Sequence, residues 1–331
     1  MSTDHVSRTA SDDSACSHPS RRRFLQTSAG LAALAALGAC ADPSPAPKPE
    51  GAEPKAAGPE EPPFKISLAE WSYHDALFKK TIDHKDFAKV ARETHGIRAV
   101  EYVNTFFKEQ VKDAAYVKEL KTRADDLGVR ILLIMCDGEG DLGHADKVRR
   151  LEAVENHKKW LEAARVLGCH SIRVNAYGGG TPEEHMAQAA DGLRTLAELA
   201  TPLALNVIVE NHGGHSSNGA WLAGVMKKAD HPRVGTLPDF GNFDLGEGKQ
   251  YDRYQGVTET MPWAKAVSAK CYDFDAKGDE TTIDFRRMLK IVTAAKYHGH
   301  LGIEYEGSRL SEKDGVEAMR ILLERIRGEM S

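Results

Sequence analysis

Beyond residue 63 the chain repeats one alternation eight times: a short run rich in Val, Ile, Leu and Ala, then a longer stretch whose apolar residues recur near a 3.6-residue period. Strands separated by helices cannot pair as hairpins, so this pattern implies parallel strands with crossover helices. The expected strands are Lys65 to Ala69, Ala99 to Tyr102, Arg130 to Met135, Ser171 to Asn175, Asn206 to Val209, Gly235 to Leu237, Ala266 to Ala269 and His300 to Ile303. The expected helices are Lys85 to Glu93, Ala115 to Leu127, Asp146 to Leu167, Pro182 to Ala200, Asn218 to Lys228, Tyr251 to Met261, Asp284 to Tyr297 and Glu312 to Arg327. Stop signals support these ends, since "THG", "LGV", "LGC" and "YHG" each place a glycine after a helix. "TPEEH" supplies a Thr181 N-cap, Pro182 at the first helical position and acids in the first turn. Eight units in the 268 residues from 64 to 331 match a closed (β/α)8 barrel, which takes ~250. An open doubly wound sheet shares the local pattern. However, polar residues collect at every strand exit rather than at one switch point, and no G-x-G-x-x-G follows a strand.

The first sixty residues are of another kind. "SRRRFLQTSAGLAALAALGAC" runs from three arginines through an Ala/Leu stretch to small residues and Cys40. It reads as a targeting segment. The apolar run from Gly30 to Ala39 is too short to span a bilayer, which takes ~20 residues. The segment resembles a twin-arginine export signal, and "LGAC" resembles a lipobox. The resemblance implies a signal over 1–40, lipidation of Cys40 as a membrane attachment, and a periplasmic or membrane-tethered location. It also implies export in the folded state, often with a metal or cofactor already inserted. Residues 41–63, rich in Pro, Ala and charge, lack the apolar surface to fold and read as a disordered tether before a barrel domain at 64–331. Cys136, Cys169 and Cys271 show no paired spacing, so no disulfide framework is expected. A net charge of −5 offers no basic excess for phosphates and argues against a nucleic-acid partner.

In a parallel barrel all strand exits open on one face, so listing them amounts to a site expectation. The exits carry Glu70, Trp71 and His74; Glu101 and Asn104; Cys136 and Asp137; Asn175 and Tyr177; Glu210, Asn211 and His212; Asp239 and Asn242; Lys270; and Glu304 and Glu306. Glu210, Asp239 and Glu304 each end an apolar run, in "VIVE", "GTLPD" and "LGIE". An isolated buried carboxylate there is costly, and three together repel one another. A shared divalent cation removes the conflict, and an all-oxygen donor set suits Mn2+ or Mg2+.

"VIVENHGG", "TLPDFGNF" and "LGIEYEG", in this order on three late strands, resemble the sugar phosphate isomerase/epimerase superfamily, the xylose-isomerase-like barrels. The resemblance covers essentially all of residues 64–331. It implies metal ligands Glu210, Asp239 and Glu304, with Ser268 standing where relatives carry a strand-seven histidine and Lys270 in the place of the family lysine. It further implies that Glu210 and Glu304 serve as acid and base, with Lys270 stabilising an oxyanion. His212, Trp71, His74, Glu101, Asn175 and Glu306 are the expected substrate contacts. Several histidines of endonuclease IV are missing, which argues against that branch. The expected activity is isomerisation or epimerisation of a non-phosphorylated small sugar through an enediolate. A lyase acting on an oxidised sugar or 3-keto-glycoside is the alternative, and a non-catalytic sugar-binding lipoprotein is a third reading.

Overall fold

The structure is a computed structural model that describes residues 62–330. The expectations for the signal over 1–40, for Cys40 and for all but the last two residues of the tether lie outside this range. Eight strands form: β1 (Lys65–Ala69), β2 (Ala99–Val103), β3 (Arg130–Met135), β4 (Ser171–Val174), β5 (Asn206–Glu210), β6 (Val234–Leu237), β7 (Val267–Cys271) and β8 (His300–Tyr305). From β1 to β6, and from β7 to β8, each strand pairs in parallel with the next, and β8 returns to β1 in the register Lys65↔His300. Between β6 and β7 the ring is closed by parallel bridges Thr236↔Ala264 and Asp239↔Ser268. Backbone bonds Ser268 N to Pro238 O (3.0 Å) and Phe240 N to Ser268 O (3.2 Å) stitch that seam at the level of the expected ligands.

Side chains alternate between two cores, as the strand period of two requires. Those facing outward join the helices in one large apolar layer that includes Val100, Tyr102, Ile134, Val209 and Ile303. Inside the barrel Ala69, Val103, Leu133, Met135, Ile208, Leu237 and Ala266 form a small apolar plug, with Trp71 and Phe106 packed against it. No helix among the described residues is long and apolar enough to cross a membrane. The three described cysteines are buried and free.

All eight expected strands lie within two residues of those observed, and seven of the eight helices within three. Their caps are the expected kind: Asp146 accepts from Val148 and Arg149 N–H, Gly168 closes the same helix at φ 76°, and Thr181 with Glu184 forms a capping box. The first helix departs from expectation. His84–Asp86 is a 3-10 turn, Phe87–Lys89 one α turn and Val90–Thr94 a π turn. The widened last turn delivers His95 to the Tyr73 hydroxyl (2.7 Å) and to Glu317 (3.1 Å). A π turn of this kind is rare and departs from the regular helical period. Two further elements lie in segments read as loops: a helix over His74–Phe78 after β1 and a small hairpin, Asp244–Gly246 with Lys249–Gln250, after β6.

Candidate active site

Glu210, Asp239 and Glu304 end β5, follow β6 and lie near the end of β8, and the barrel closes them on one another. One oxygen of each lies within 4.8 Å of the others, and all three side chains are buried. Among the described residues no histidine joins this group. Burial, with the neighbouring carboxylates, pushes Glu210 and Asp239 each up to about 7.

The backbone of the β6 exit holds Asp239 from both sides. Its N–H donates to Asn211 Oδ1 (2.8 Å), Asn211 Nδ2 donates back to its carbonyl (3.0 Å), and its Oδ1 accepts from Gly241 and Asn242 N–H. Asn211, which the sequence set beside Glu210, therefore clamps two strand exits together. Ser268 Oγ stands 2.5 Å from Asp239 Oδ2 and 3.2 Å from Glu304 Oε2. A hydroxyl carries one proton and can satisfy only one of them at a time.

Lys270 Nζ lies 3.4 Å from Glu304 and 3.0 Å from Glu306, and donates to Asn242 Oδ1 (3.1 Å). Burial alone would lower its pKa, but the surrounding carboxylates outweigh it and hold the ammonium charged. Asn242 passes the chain on through Nδ2 to Glu210 Oε1 (2.9 Å), and Trp71 Nε1 donates to Glu306 Oε1 (2.6 Å). One continuous polar string thus runs from Trp71 through Glu306, Lys270 and Asn242 to Glu210.

Arg173 is not a strand-exit residue: it sits inside β4 between Ile172 and Val174. Its Nη1 donates to Asp137 Oδ1 (2.6 Å) and its Nε lies 2.9 Å from Glu210 Oε2. That second contact is an ion pair without hydrogen-bond alignment, so Glu210 Oε2 has no donor. Arg173 and the Asn175 amide (2.7 Å) hold the Asp137 carboxyl below its ordinary range despite burial. The available signal was an arginine flanked by apolar residues in a strand, since a buried guanidinium requires a buried carboxylate partner.

A cavity of about 330 Å³ opens above this floor, lined by Trp71, Asp137, Arg173, Asn175, Tyr177, His212, Glu304 and Glu306 among others. That volume is at the small end of ligand pockets. His212 Nδ1 shares a hydrogen bond with the Tyr177 hydroxyl (2.9 Å), and burial followed by the Arg173 charge lowers its pKa and keeps the ring neutral. Trp71, Asn175, His212 and Glu306 thus stand on the cavity wall. His74 is not part of its lining: it bonds the Trp71 carbonyl and stacks on that indole at 5.0 Å. Glu101 also departs from the expectation of a substrate contact. Its side chain points into the barrel below the cavity, where Ser67 Oγ donates to it at 2.6 Å and its second oxygen has no partner. Glu101 lies inside β2 rather than at its exit, and strand alternation aims it inward.

The donor set fits a divalent cation. Glu210, Asp239, Glu304, Glu306 and Asp137 face Arg173 and Lys270 as their cationic partners, which leaves a negative excess around three converging carboxylates, and Glu210 keeps one oxygen without a donor. Hard oxygen ligands of this kind suit Mg2+ or Mn2+.

Residues 88–326 match the sequence profile of xylose isomerase-like TIM barrels, and residues 18–38 that of twin-arginine translocation signals. The chain is 19% identical over 345 aligned positions to the 3'-dehydrocarminate deglycosidase alpha subunit of a Microbacterium species, covering 80% of this chain and 96% of that one. Among solved structures, 3-keto-D-glucoside 4-epimerase from E. coli superposes with a TM-score of 0.59 at 18% identity, over 80% of this chain and 99% of the other. The IOLI protein, crystallised with a zinc atom, gives 0.64 at 14% identity, over 80% and 99%. At these identities the structural likeness is one of fold.

Proposed function

This chain belongs to the xylose isomerase-like TIM barrel family, an enzyme fold of sugar isomerases and epimerases, and from the site built in that barrel we propose a specific activity. The protein takes a proton from the carbon beside the carbonyl of a non-phosphorylated keto sugar to give an enediolate, and returns it either to the opposite face of the same carbon, as an epimerase, or to the former carbonyl carbon, as an isomerase. The observation that carries this reading is the convergence of Glu210, Asp239 and Glu304 at the floor of a sugar-sized cavity, beside a charged Lys270.

Glu210, Asp239 and Glu304 would hold the cation, with Ser268 bonded to two of them. Once bound, Mn2+ or Mg2+ would supply a positive charge that makes the neighbouring C–H more acidic. The remaining roles fall to the chain itself. Glu210 serves as the base that accepts the proton, and Glu304 is the second carboxylate, which returns it. The Lys270 ammonium offers its charge to the oxygen that becomes an enolate. His212, Asn175 and Glu306 offer hydrogen bonds to hydroxyls along the wall, and the Trp71 ring covers the apolar face of the sugar.

A second reading has specific support in the alignment with a deglycosidase alpha subunit over 80% of the chain. On a 3-keto-glycoside, removal of the C2 proton sends the C–H electron pair into a C1=C2 double bond as the C1–aglycone bond breaks. The aglycone departs with the electron pair of the broken C1–aglycone bond and takes up a proton from the second carboxyl. Both readings share the first step. Extracytoplasmic tethering through Cys40, with the signal over 1–40 and a spacer over 41–63, completes the proposal and favours unphosphorylated substrates.

The test is incubation with free ketoses and with 3-keto-glucosides in D2O, following deuterium uptake by mass spectrometry and aglycone release by chromatography. Glu210→Gln should reduce turnover by about 10²- to 10⁴-fold, the usual worth of a general base. Undiminished exchange in that variant would remove Glu210 from the mechanism.

A further inference from the structure

The end of the barrel opposite the cavity carries a charge that the chemistry above does not use. Seven of the eight strands open on a basic residue or a histidine, at their first position or within two residues before it: Lys65, Arg98, Arg130, His170, Arg233, Lys265 and His300. Backbone bonds hold these starts level with one another. Arg130 N donates to the Arg98 carbonyl (2.9 Å), Asn206 N to that of His170 (3.0 Å) and Val207 N to that of Arg233 (2.8 Å), while Lys65 pairs with His300 in the sheet register.

These groups act on one another with one sign. Burial, then Arg130, Lys65 and His170, push the His300 imidazole down to about 4. Burial, then Arg130 and Lys265, lower His170, and burial with Arg233 lowers Lys265. Among the described residues, Arg98, Arg130, Arg233 and Lys265 form no ion pair with a carboxylate: Arg130 meets the His300 ring (3.1 Å) and Arg233 the Ala204 carbonyl (2.9 Å). Exposed helix ends nearby hold Arg165, Lys227, Lys228 and Lys296 against Asp126, Glu198 and Asp230, so the surroundings leave the positive excess in place. The cavity end is the acidic one, where five carboxylates face Arg173 and Lys270. A chain of net charge −5 thus separates its charges along the barrel axis, over the about 17–20 Å of a five- or six-residue strand.

The chain also enters the barrel at the basic end. Pro62, the first described residue, lies three positions before Lys65 at the start of β1, so the tether proposed for residues 41–63 is joined to this face and not to the cavity mouth.

We infer that the basic face docks on an anionic phospholipid surface, with the cavity mouth turned away from it toward the soluble substrate. The inference rests on the extracytoplasmic tethering proposed above and gives the tethered barrel an orientation. A bilayer is favoured over other polyanions because attachment at this same face presents it to a membrane. The attraction fades within a Debye length, ~8 Å at physiological salt, so the strand starts feel it and the acidic mouth at the far end does not.

The experiment measures binding of the full chain to vesicles by sedimentation, phosphatidylcholine alone against a mixture with phosphatidylglycerol. All proteins carry Cys40→Ser, so no acyl chain contributes and the outcome does not depend on lipidation. The parent protein should bind the phosphatidylglycerol vesicles more than about 10²-fold more tightly, and adding Arg98→Gln with Arg130→Gln should lower that binding about 30-fold, the worth of two basic residues at an anionic surface. Lys79→Gln with Lys313→Gln, an equal charge change beside the cavity mouth, should lower it less than about threefold. All four side chains are exposed, so these substitutions spare the core. The basic residues of 1–40 are common to every protein and cancel in the comparison. Equal binding by the parent and the Arg98→Gln, Arg130→Gln protein, or an equal loss in the Lys79→Gln, Lys313→Gln protein, would overturn the docking face while the tether stands. Salt-sensitive self-association without vesicle binding would overturn it too, and assign the face to the acidic mouth of a second copy. The tether fails separately, if the chain with Cys40 intact is recovered from cells in the soluble fraction; that result would remove the setting of the inference whatever the vesicles show.

Discussion

Glu101→Gln is expected to stabilise the protein, and only above a definite pH. The carboxyl of Glu101 is fully buried within the barrel, with Ser67 Oγ as its one hydrogen-bond donor and Glu304 and Glu210 adding repulsion. Burial, the largest of these effects, pushes its pKa from an ordinary 4.5 up to about 7. Because the folded value is the raised one, the native state binds the proton more tightly than the unfolded chain. Its contribution is fully present below pH 4.5, declines between 4.5 and 7, and is lost above 7. At about 1.4 kcal/mol per tenfold change in proton affinity, ionising this group inside the fold costs about 3 kcal/mol at pH 8.5. Glutamine keeps the shape and the acceptor for Ser67 but carries no charge. Urea unfolding should therefore show near-equal stability at pH 5 and an advantage for Glu101→Gln approaching 3 kcal/mol at pH 8.5, about 6–12 °C in Tm for a domain of this size. A difference that does not vary with pH, or a variant less stable at pH 8.5, would mean that Glu101 is ionised and paired. Arg173, whose field also reaches it, would be the partner to examine.

Two other perturbations probe the floor of the cavity. Arg173→Met leaves Asp137 and Glu210 without their shared cation and should cost about 3–5 kcal/mol by denaturant titration; an unchanged midpoint would show that the pair contributes nothing. Stripping the protein with chelator and then adding Mn2+ at 100 times its Kd should raise stability by about 2.7 kcal/mol in the wild type, and Asp239→Asn should abolish that gain in calorimetry. The same Mn2+ response in both proteins would place the ion elsewhere.

The fold was legible because eight repeats of one period leave few topologies, and because capping residues such as Asp146, Thr181 and Gly168 mark element ends locally. The split helix after β1 was not legible, since the bonds that widen it join His95 to Tyr73 and Glu317, more than twenty residues away in each direction. The short helix bearing Phe78 was missed for a related reason. Five residues are too few to show a period, and its start is capped by Glu312 from the last helix.

In the site, the groups that end strands are legible from the sequence, whereas those that turn inward from within a strand, Glu101 and Arg173, are not. Glu210, Asp239 and Glu304 could be named because a carboxylate at the end of an apolar run is costly in any environment without a partner. What could not be read was how the remaining charges divide among them. Arg173 reaches Glu210 from inside β4, Lys270 reaches Glu304 and Glu306 from β7, and Asn242 links the two halves through opposite ends of one amide. Such pairings depend on shear between strands, which sequence periodicity does not specify. Gly302 shows how strict that geometry is: a Cβ there would stand 2.6 Å from both oxygens of Glu101. β8 therefore carries no side chain at the position facing that carboxyl, and two residues further on its Glu304 enters the floor of the cavity. The spacing "GIE" in "LGIEYEG" thus encodes two barrel layers at once, an empty position that admits one buried acid and a filled one that supplies another.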